Sequence, residues 1–365
     1  MPIAMNTRVL GARVTGVQRY AMELLTRWNG NAERIAPDRA RHGFAGHAWE
    51  QLILPRKLQG RLLFSPAGSG PLETRNQVVT IHDMAVFDCP GGFHSRFAAW
   101  YRFLLPKLAR RARRIIAVSE FVKERIVALA NVSADKIAVI PNGVDARFSP
   151  EAISRKDEMA RSLGLPSPRY VLTVGSLEPR KNLARLLRAW NQVADQIPED
   201  VWLVVAGARG SSRVFGDVDL SALPARAFLT GRVEEALLPA LYAGAIATIY
   251  PSIYEGFGLP ALEAMASGTA VVAGNRASLP EVVGDAGLLV DPFDEAAIAE
   301  GIYRLISDAA TREEMRQRGL VRAKEFSWDE TARRTWEVLG AATTGFLNVA
   351  GGNIGGCAEA SNDAP

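Results

Sequence analysis

Residues 251–268 read PSIYEGFGLPALEAMASG, directly after the apolar run ATIY at 247–250. The order is strand, glycine-bearing loop, helix. Pro260 suits the first helical turn, where its missing N–H would be unpaired in any case. Gly256 and Gly258 let the backbone approach a ligand closely, and the amino end of the helix offers free N–H groups and a partial positive charge. The stretch is a phosphate cradle. Two carboxylates flank it, Glu255 in the loop and Glu263 in the helix. Beside an anion site they suit hydrogen bonds from hydroxyls, such as those of a sugar and a ribose. Equally, Glu255 could cap the helix and Glu263 could lie on a solvated helix face.

Outward from this stretch, short β-rich runs alternate with helical patterns. Gln77–Ile81, Arg114–Val118 and Lys136–Ile140 read as buried strands in the first half. Tyr170–Val174, Val201–Ala206, Ala227–Thr230, Ala247–Tyr250 and Ala270–Ala273 read likewise in the second. Phe121–Leu129 and Leu183–Ala194 carry apolar residues at helical spacing between them. This is an α/β chain with parallel sheets covered on both faces. The alternation breaks once, over residues 142–168, where NGVDARFSP leads into a charged stretch and a proline turn. We place the linker there. The expected organisation is a Rossmann-like first domain over 1–150 and a second over 151–326. A helix over 327–340, with Ser327 as its N-cap, packs back on the first domain, and a flexible tail fills 341–365. Two such halves make a cleft, and ligands favour the carboxyl ends of parallel strands.

Composition narrows the partners. The 365 residues are 48% hydrophobic and 22% charged, which excludes a disordered, collagen-like or coiled-coil chain. Lys plus Arg number 43 against 39 Asp plus Glu, a surplus of +4 too small to argue nucleic-acid binding. The two cysteines, Cys89 and Cys357, stand far apart and supply neither a disulfide framework nor a zinc site, so a reducing, cytoplasmic setting is expected. The start lacks the layout of a signal peptide. Over 237–254, Pro239, Gly244 and Pro251 break the longest apolar run into helix plus strand.

EGFGLPALEAMASG resembles the E-x7-E signature of the retaining glycosyltransferases of family 4, which have two facing Rossmann-like domains (the GT-B fold). The resemblance extends, in the family's order, to GVQRYAMELL (16–25), TIHD (80–83), VSEFVKERI (118–126), VIPNGVD (139–145), VGSLEPRKNL (174–183), LTGRV (229–233) and FSWDETA (326–332). It covers nearly everything from residue 8 to residue 340. Together the ordered motifs are highly specific.

The resemblance implies roles. Glu255 contacts hydroxyls of the transferred sugar and Glu263 binds the nucleotide ribose. Backbone N–H groups around Gly256, Phe257, Gly258 and Leu259 hold the diphosphate or sugar. Arg180 and Lys181, which on their residues alone could also be a solvated pair in a polar turn, match the family's phosphate-binding cations. One departure stands out: many members carry arginine directly after the strand glycine, where this chain has Ser176. Here Arg180 supplies that charge. His82 faces the transferred sugar, and Asp83 fixes its tautomer or contacts the acceptor. Gly16 lies where a glycine loop approaches the diphosphate, a position a plain strand–helix turn would also explain. Gly231 and Arg232 read the base, and Gly207 lines the same pocket.

The activity so implied is hexosyl transfer with retention from a nucleotide-sugar to a saccharide or lipid-linked acceptor, in surface-polysaccharide assembly. The best-matching donor is GDP-mannose, with UDP-glucose and dTDP-rhamnose as competitors. No cofactor is called for. Metal independence is expected, the leaving diphosphate being met by Arg180, Lys181 and the helix amino end. The alternatives are an epimerase or phosphorylase of the same architecture, and a nucleotide-binding module without turnover. A dehydrogenase fits poorly, because no G-x-G-x-x-G follows an early strand. Finally, residues 97–114 mix aromatics with Arg102, Lys107, Arg110, Arg111, Arg113 and Arg114. They form either a packed helix with solvated charges or a peripheral contact with anionic membrane at the inner face.

Overall fold

The strand Gln77–Ile81, buried along its whole length, is central to a six-stranded sheet in which every pairing is parallel. That sheet comprises β1 (Ile3–Asn6), β2 (Ala32–Ile35), β3 (Leu62–Ser65), β4 (Gln77–Ile81), β5 (Arg114–Ala117) and β6 (Ile137–Val139), in the order β2-β1-β3-β4-β5-β6. A second six-stranded parallel sheet follows, with β7 (Arg169–Val174), β8 (Val201–Ala206), β9 (Ala227–Gly231), β10 (Ala247–Tyr250), β11 (Ala270–Gly274) and β12 (Leu288–Val290). Its order is β12-β11-β10-β7-β8-β9. The computed structural model describes residues 3–12, 14–28, 32–41, 43–208, 214 and 223–344.

Continuous burial of strands such as LLFS, QVVTI and AVVAG follows from helices covering both faces. The helix Leu183–Val193 shows how. It turns Leu183, Leu186, Leu187, Trp190 and Val193 inward onto Val171, Leu203 and Ile249 of the sheet. Its opposite face carries Arg185 and Arg188.

In both sheets the strand order reverses once. In the first it reverses between β1 and β3, in the second between β7 and β10. At such a point the connections leave in opposite directions and open a crevice beyond the carboxyl ends of the two strands. The loops after β7 and β10 carry Arg180, Lys181 and Glu255. The second sheet's topology therefore brings the sequence-predicted cations and carboxylate to one crevice.

Between the sheets the chain runs through a 3-10 turn at Pro150–Arg155 and the helix Lys156–Leu163, ended by Gly164 at φ +61°. The terminal helix, Trp328–Thr344, runs four residues beyond the expected end at 340. Ser327 Oγ accepts from the Asp329 N–H at 3.1 Å, as a cap should. The helix lies on the first sheet's unit. Trp328 is buried with its ring 6.1 Å from that of Tyr20, and Thr331 and Arg334 donate to the carbonyls of Pro141 and Val139, each at 2.7 Å. Cys357 and the rest of the tail beyond Thr344 lie outside the described residues. Among the described residues, no helix is long and apolar enough to cross a membrane.

Candidate active site

The loop after β10 ends at Gly258, whose φ of +108° is open to glycine and strained for other residues. Gly258 is the N-cap of the helix Leu259–Ala266, with no side-chain cap and Pro260 in the first turn. Pro260 has no N–H and Ala261 donates to the Gly258 carbonyl at 3.1 Å, so the first-turn donor that no side chain caps is the Leu259 N–H. Glu255 does not cap it. Its carboxylate instead accepts from Lys181 Nζ at 2.6 Å and from the Tyr250 hydroxyl at 2.7 Å, while Lys181 Nζ lies 2.7 Å from the same hydroxyl. These three groups close a triangle. Glu263 is buried at 5% exposure, so it is no part of a solvated helix face.

Arg180 stands beside the triangle with more acid than it can pair with singly. Its Nε donates to Glu178 at 2.8 Å, and its guanidinium lies 3.8 Å from Glu255 and 3.9 Å from Asp83. Glu178, itself buried, also bonds Ser176. Ser176 thus holds the acid that holds Arg180. Burial alone would raise the Glu255 carboxyl; Lys181 and Arg180 more than offset this and hold it below the ordinary carboxylate range. For Glu263 the balance goes the other way, burial raising it in spite of Arg19. The two glutamates of the signature, each with a cation beside it, are thus shifted in opposite directions.

The first sheet's unit completes the crevice from across the cleft. A Cβ on Gly256 would stand 1.8 Å from the His82 carbonyl oxygen, and Ser119 Oγ donates to the Gly256 carbonyl at 2.8 Å. A Cβ on Gly16, the first residue of the helix Gly16–Thr26, would meet Leu259 at 3.3 Å. Glu281 reaches back the other way, both carboxylate oxygens 3.0 Å from the Glu120 N–H at the start of the helix Glu120–Ala130. The two units are in close contact along this line.

Known proteins resemble this chain in sequence and in fold. Residues 63–148 match the family described as Glycosyltransferase Family 4, and residues 155–322 match Glycosyl transferases group 1. The chain is 35% identical over 267 residues to the O-antigen chain mannosyltransferase B of Escherichia coli, covering 73% of this chain and 70% of that protein. The chain belongs to the family 4 glycosyltransferases. It is also 29% identical over 240 residues to the serotype-specific mannosyltransferase WbdA of Escherichia coli, a longer protein of which it spans 29%. The Anabaena HepE structure solved with UDP-glucose superposes with a TM-score of 0.72 at 19% identity, covering 93% of this chain and 100% of that one. That likeness bears on the fold, which is GT-B.

The glycosyltransferase places its remaining sequence-predicted residues as follows. His82 Nε2 is 2.7 Å from the Pro66 carbonyl, so Nε2–H donates and Nδ1 is the acceptor of the neutral ring. Packing around the ring lowers its pKa, against the Pro66 bond and the Asp83 charge. The expectation that Asp83 fixes this tautomer is corrected: Pro66 does so, and Asp83 accepts from the Ala85 N–H at 3.0 Å and faces Arg180. Gly207 sits where a Cβ would be 1.8 Å from the Gly175 carbonyl, and its N–H donates to the Gly231 carbonyl at 2.9 Å. Gly207 and Gly231 therefore share the carboxyl edge of β7 to β9, with Arg232 exposed beside them.

Sequence reasoning missed Tyr250, Glu178, Ser119, Glu281 and Arg19. Tyr250 had a signal, as the last residue of the strand that leads into the loop. Glu178 bonds its near neighbours Ser176 and Arg180, while Ser119, Glu281 and Arg19 find their partners on distant segments. The expectation of metal independence also passes over one Asp-x-Asp triplet, Asp217 to Asp219, which lies outside the described residues. Among the described residues no group of three His, Cys, Asp or Glu side chains stands ready to hold a metal ion.

Proposed function

We propose that this glycosyltransferase moves a mannosyl group from GDP-mannose to a saccharide or lipid-linked acceptor, with retention, in the assembly of a surface polysaccharide. The observation that carries the reading is the Lys181–Glu255–Tyr250 triangle with Arg180 beside it, at the amino end of a helix left uncapped by side chains. The mannosyltransferase names of its relatives support the choice of sugar.

In this reading the donor diphosphate lies over the Gly256–Leu259 backbone. It competes for Arg180 and Lys181 with the carboxylates of Glu178 and Glu255. Charge builds on the diphosphate as the bond from C1 to its oxygen lengthens, and the two cations and helix dipole stabilise that charge. The acceptor oxygen attacks C1 from the face the diphosphate is leaving. Its proton passes to the departing phosphate oxygen, so GDP leaves and configuration is kept. Glu255, held ionised by its cations, accepts hydrogen bonds from hydroxyls of the transferred sugar. Glu263 does the same for the ribose, and His82 presents Nδ1 to the sugar from the first unit.

A lipid-linked acceptor fits the basic helix Ser95–Arg111. Arg102, Arg110 and Arg111 donate to the carbonyls of Val86, Ala130 and Leu72 at 2.7, 3.0 and 2.8 Å. Those partners are neutral, so the positive charge is not cancelled. Phe103 is 47% exposed on the same helix, with Lys107 Nζ 3.8 Å from its ring centre.

The test is a thermal-shift panel with GDP, UDP and dTDP, followed by NMR of the anomeric product formed from the matching donor. A ligand that binds only the folded chain raises its midpoint by mass action. GDP should stabilise most, and the α-linked donor should give an α-linked product. Stabilisation by UDP or dTDP alone would overturn mannose; an inverted product would overturn retention. Donor consumed without any acceptor product would favour the epimerase alternative.

A further inference from the structure

One cation of the first sheet's unit crosses the cleft and ends on the second unit's acids. Arg19 lies one turn into the helix Gly16–Thr26, and its two terminal nitrogens bond Glu263 Oε1 and Glu235 separately. The Arg19 and Glu263 side chains are only 11% and 7% exposed. Glu235 is shared, taking Arg147 Nη2 at 2.7 Å, and the Phe148 ring lies against both guanidinium groups, 5.8 Å from Arg19 and 5.1 Å from Arg147. The groups facing Glu263 are Arg19 from the first unit, Arg147 from the connecting segment, and Glu235 and Tyr242 from the second unit. Asp145 adds a further negative charge within reach of Arg19.

An exposed pair in this position would contribute little. A buried carboxylate with no cation beside it takes up a proton and stops acting as a charged acceptor. The guanidinium also joins the two helices whose amino ends meet at Gly16 and Leu259. Its fork satisfies two acids at once, which an ammonium on a flexible stem does not reproduce.

We propose that Arg19 is a positioning residue for nucleoside binding: from across the cleft it holds the Glu263 carboxylate charged and aimed at the ribose hydroxyls. This rests on the reading of Glu263 as the ribose-binding carboxylate. Arg19 touches neither sugar nor diphosphate in this role and acts through Glu263.

The test compares wild type with Arg19→Met, Arg19→Lys and Glu263→Ala. Binding is measured by calorimetry with whichever of GDP, UDP and dTDP stabilises the wild-type chain most, from mildly acidic to mildly alkaline pH. Arg19→Met should weaken binding by about thirtyfold, the size expected when one partner of a buried charge pair is removed, and should raise the donor KM more than it lowers kcat. Wild-type affinity falls as acid protonates Glu263. Without Arg19 that fall should begin at a higher pH, and Arg19→Lys should restore the charge and most of the profile. If Arg19→Met does not fold, the Arg19→Lys profile decides alone: it should lie close to wild type while affinity drops, and unchanged affinity would overturn the proposal. Normal binding by Glu263→Ala would overturn the ribose reading and the proposal with it. Weak binding by Glu263→Ala beside wild-type affinity in Arg19→Met would overturn the proposal alone. Weaker binding by Arg19→Met with an unmoved pH profile would reduce Arg19 to a structural strut, and that also overturns it.

Discussion

Lys181 Nζ lies 2.6 Å from the Glu255 carboxylate, and the Tyr250 hydroxyl bridges both. The contact ties the loop after β7 to the loop after β10, so the crevice where the strand order reverses is closed by charge as well as by backbone. A diphosphate arriving there exchanges one set of ionic partners for another. The carboxylates thus partner two half-buried cations that a diphosphate would also partner.

Removing the cation should hit the chemical step. Lys181→Ala should lower kcat by about 10²–10³, the size seen when one donor to a developing negative charge is lost, with an unchanged far-UV circular dichroism spectrum. Tyr250→Phe leaves the Lys181–Glu255 pair standing and removes only the bridging hydroxyl. It should cost about 1 kcal/mol of stability and lower kcat far less than Lys181→Ala. Initial rates and thermal melts on the two variants check the order.

Acid should loosen the same site. The Glu255 carboxyl is held below its ordinary range by Lys181 and Arg180 against the effect of burial. Its stabilisation is therefore present above the usual carboxylate pKa of about 4.3 and disappears as pH falls through the lower folded-state value. Glu263 runs oppositely. With its carboxyl raised by burial, its contribution is complete in acid and fades as pH rises. Melting temperatures measured from neutral pH downward should fall less steeply in Glu255→Gln than in wild type. An identical slope would show that Glu255 is not held by its cations.

The second sheet was far more legible than the first. YVLTV, VWLVVA, ATIY and AVVA are uninterrupted β-branched or apolar runs, as strands covered on both faces must be. Three of the first sheet's strands gave weaker signals. β1 is only Ile3–Asn6, with Asn6 at its end; β2 is AERI with two charged residues; β3 follows Gly60 and Arg61 with only four residues. β12 is the three-residue LLV. All four pair through backbone, which composition does not report. In the site, Glu255, Lys181 and Gly256 belong to local motifs and could be read from them. Glu178 lies within the motif VGSLEPRKNL between its partners Ser176 and Arg180, whereas the partners of Arg19 and Glu281 lie on other elements and only the fold brings them together.

Membrane contact through the basic helix predicts a charge-dependent attachment. Arg110 and Arg111 bond neutral carbonyls, so each adds positive charge to the surface. A juxtamembrane cation near anionic lipid is worth about 1 kcal/mol. The Arg110→Ala/Arg111→Ala protein should therefore pellet measurably less than wild type with phosphatidylglycerol vesicles at low salt, and the difference should shrink as salt is raised. Equal pelleting at every salt concentration would remove this face from consideration.

Gly256 separates the requirement of the cleft from that of the loop. Its backbone lies in no glycine-only conformation, since it is absent from the residues with positive φ. What forbids a side chain is the His82 carbonyl oxygen, 1.8 Å from where a Cβ would stand. A backbone oxygen cannot swing aside as a long side chain would, so Gly256→Ala must either shift the loop or push the two units apart. Either movement displaces Glu255 and the Gly256–Leu259 backbone from the first unit's His82 and Gly16, and misplacement of about 1 Å at a reacting centre can cost about 10²-fold in rate. The second sheet's core is untouched by the added methyl. Gly256→Ala should therefore keep its secondary structure and its melting transition while losing most of its turnover, and small-angle scattering should show a larger radius of gyration if the units have parted. Turnover close to wild type would mean that the cleft need not close this tightly for transfer.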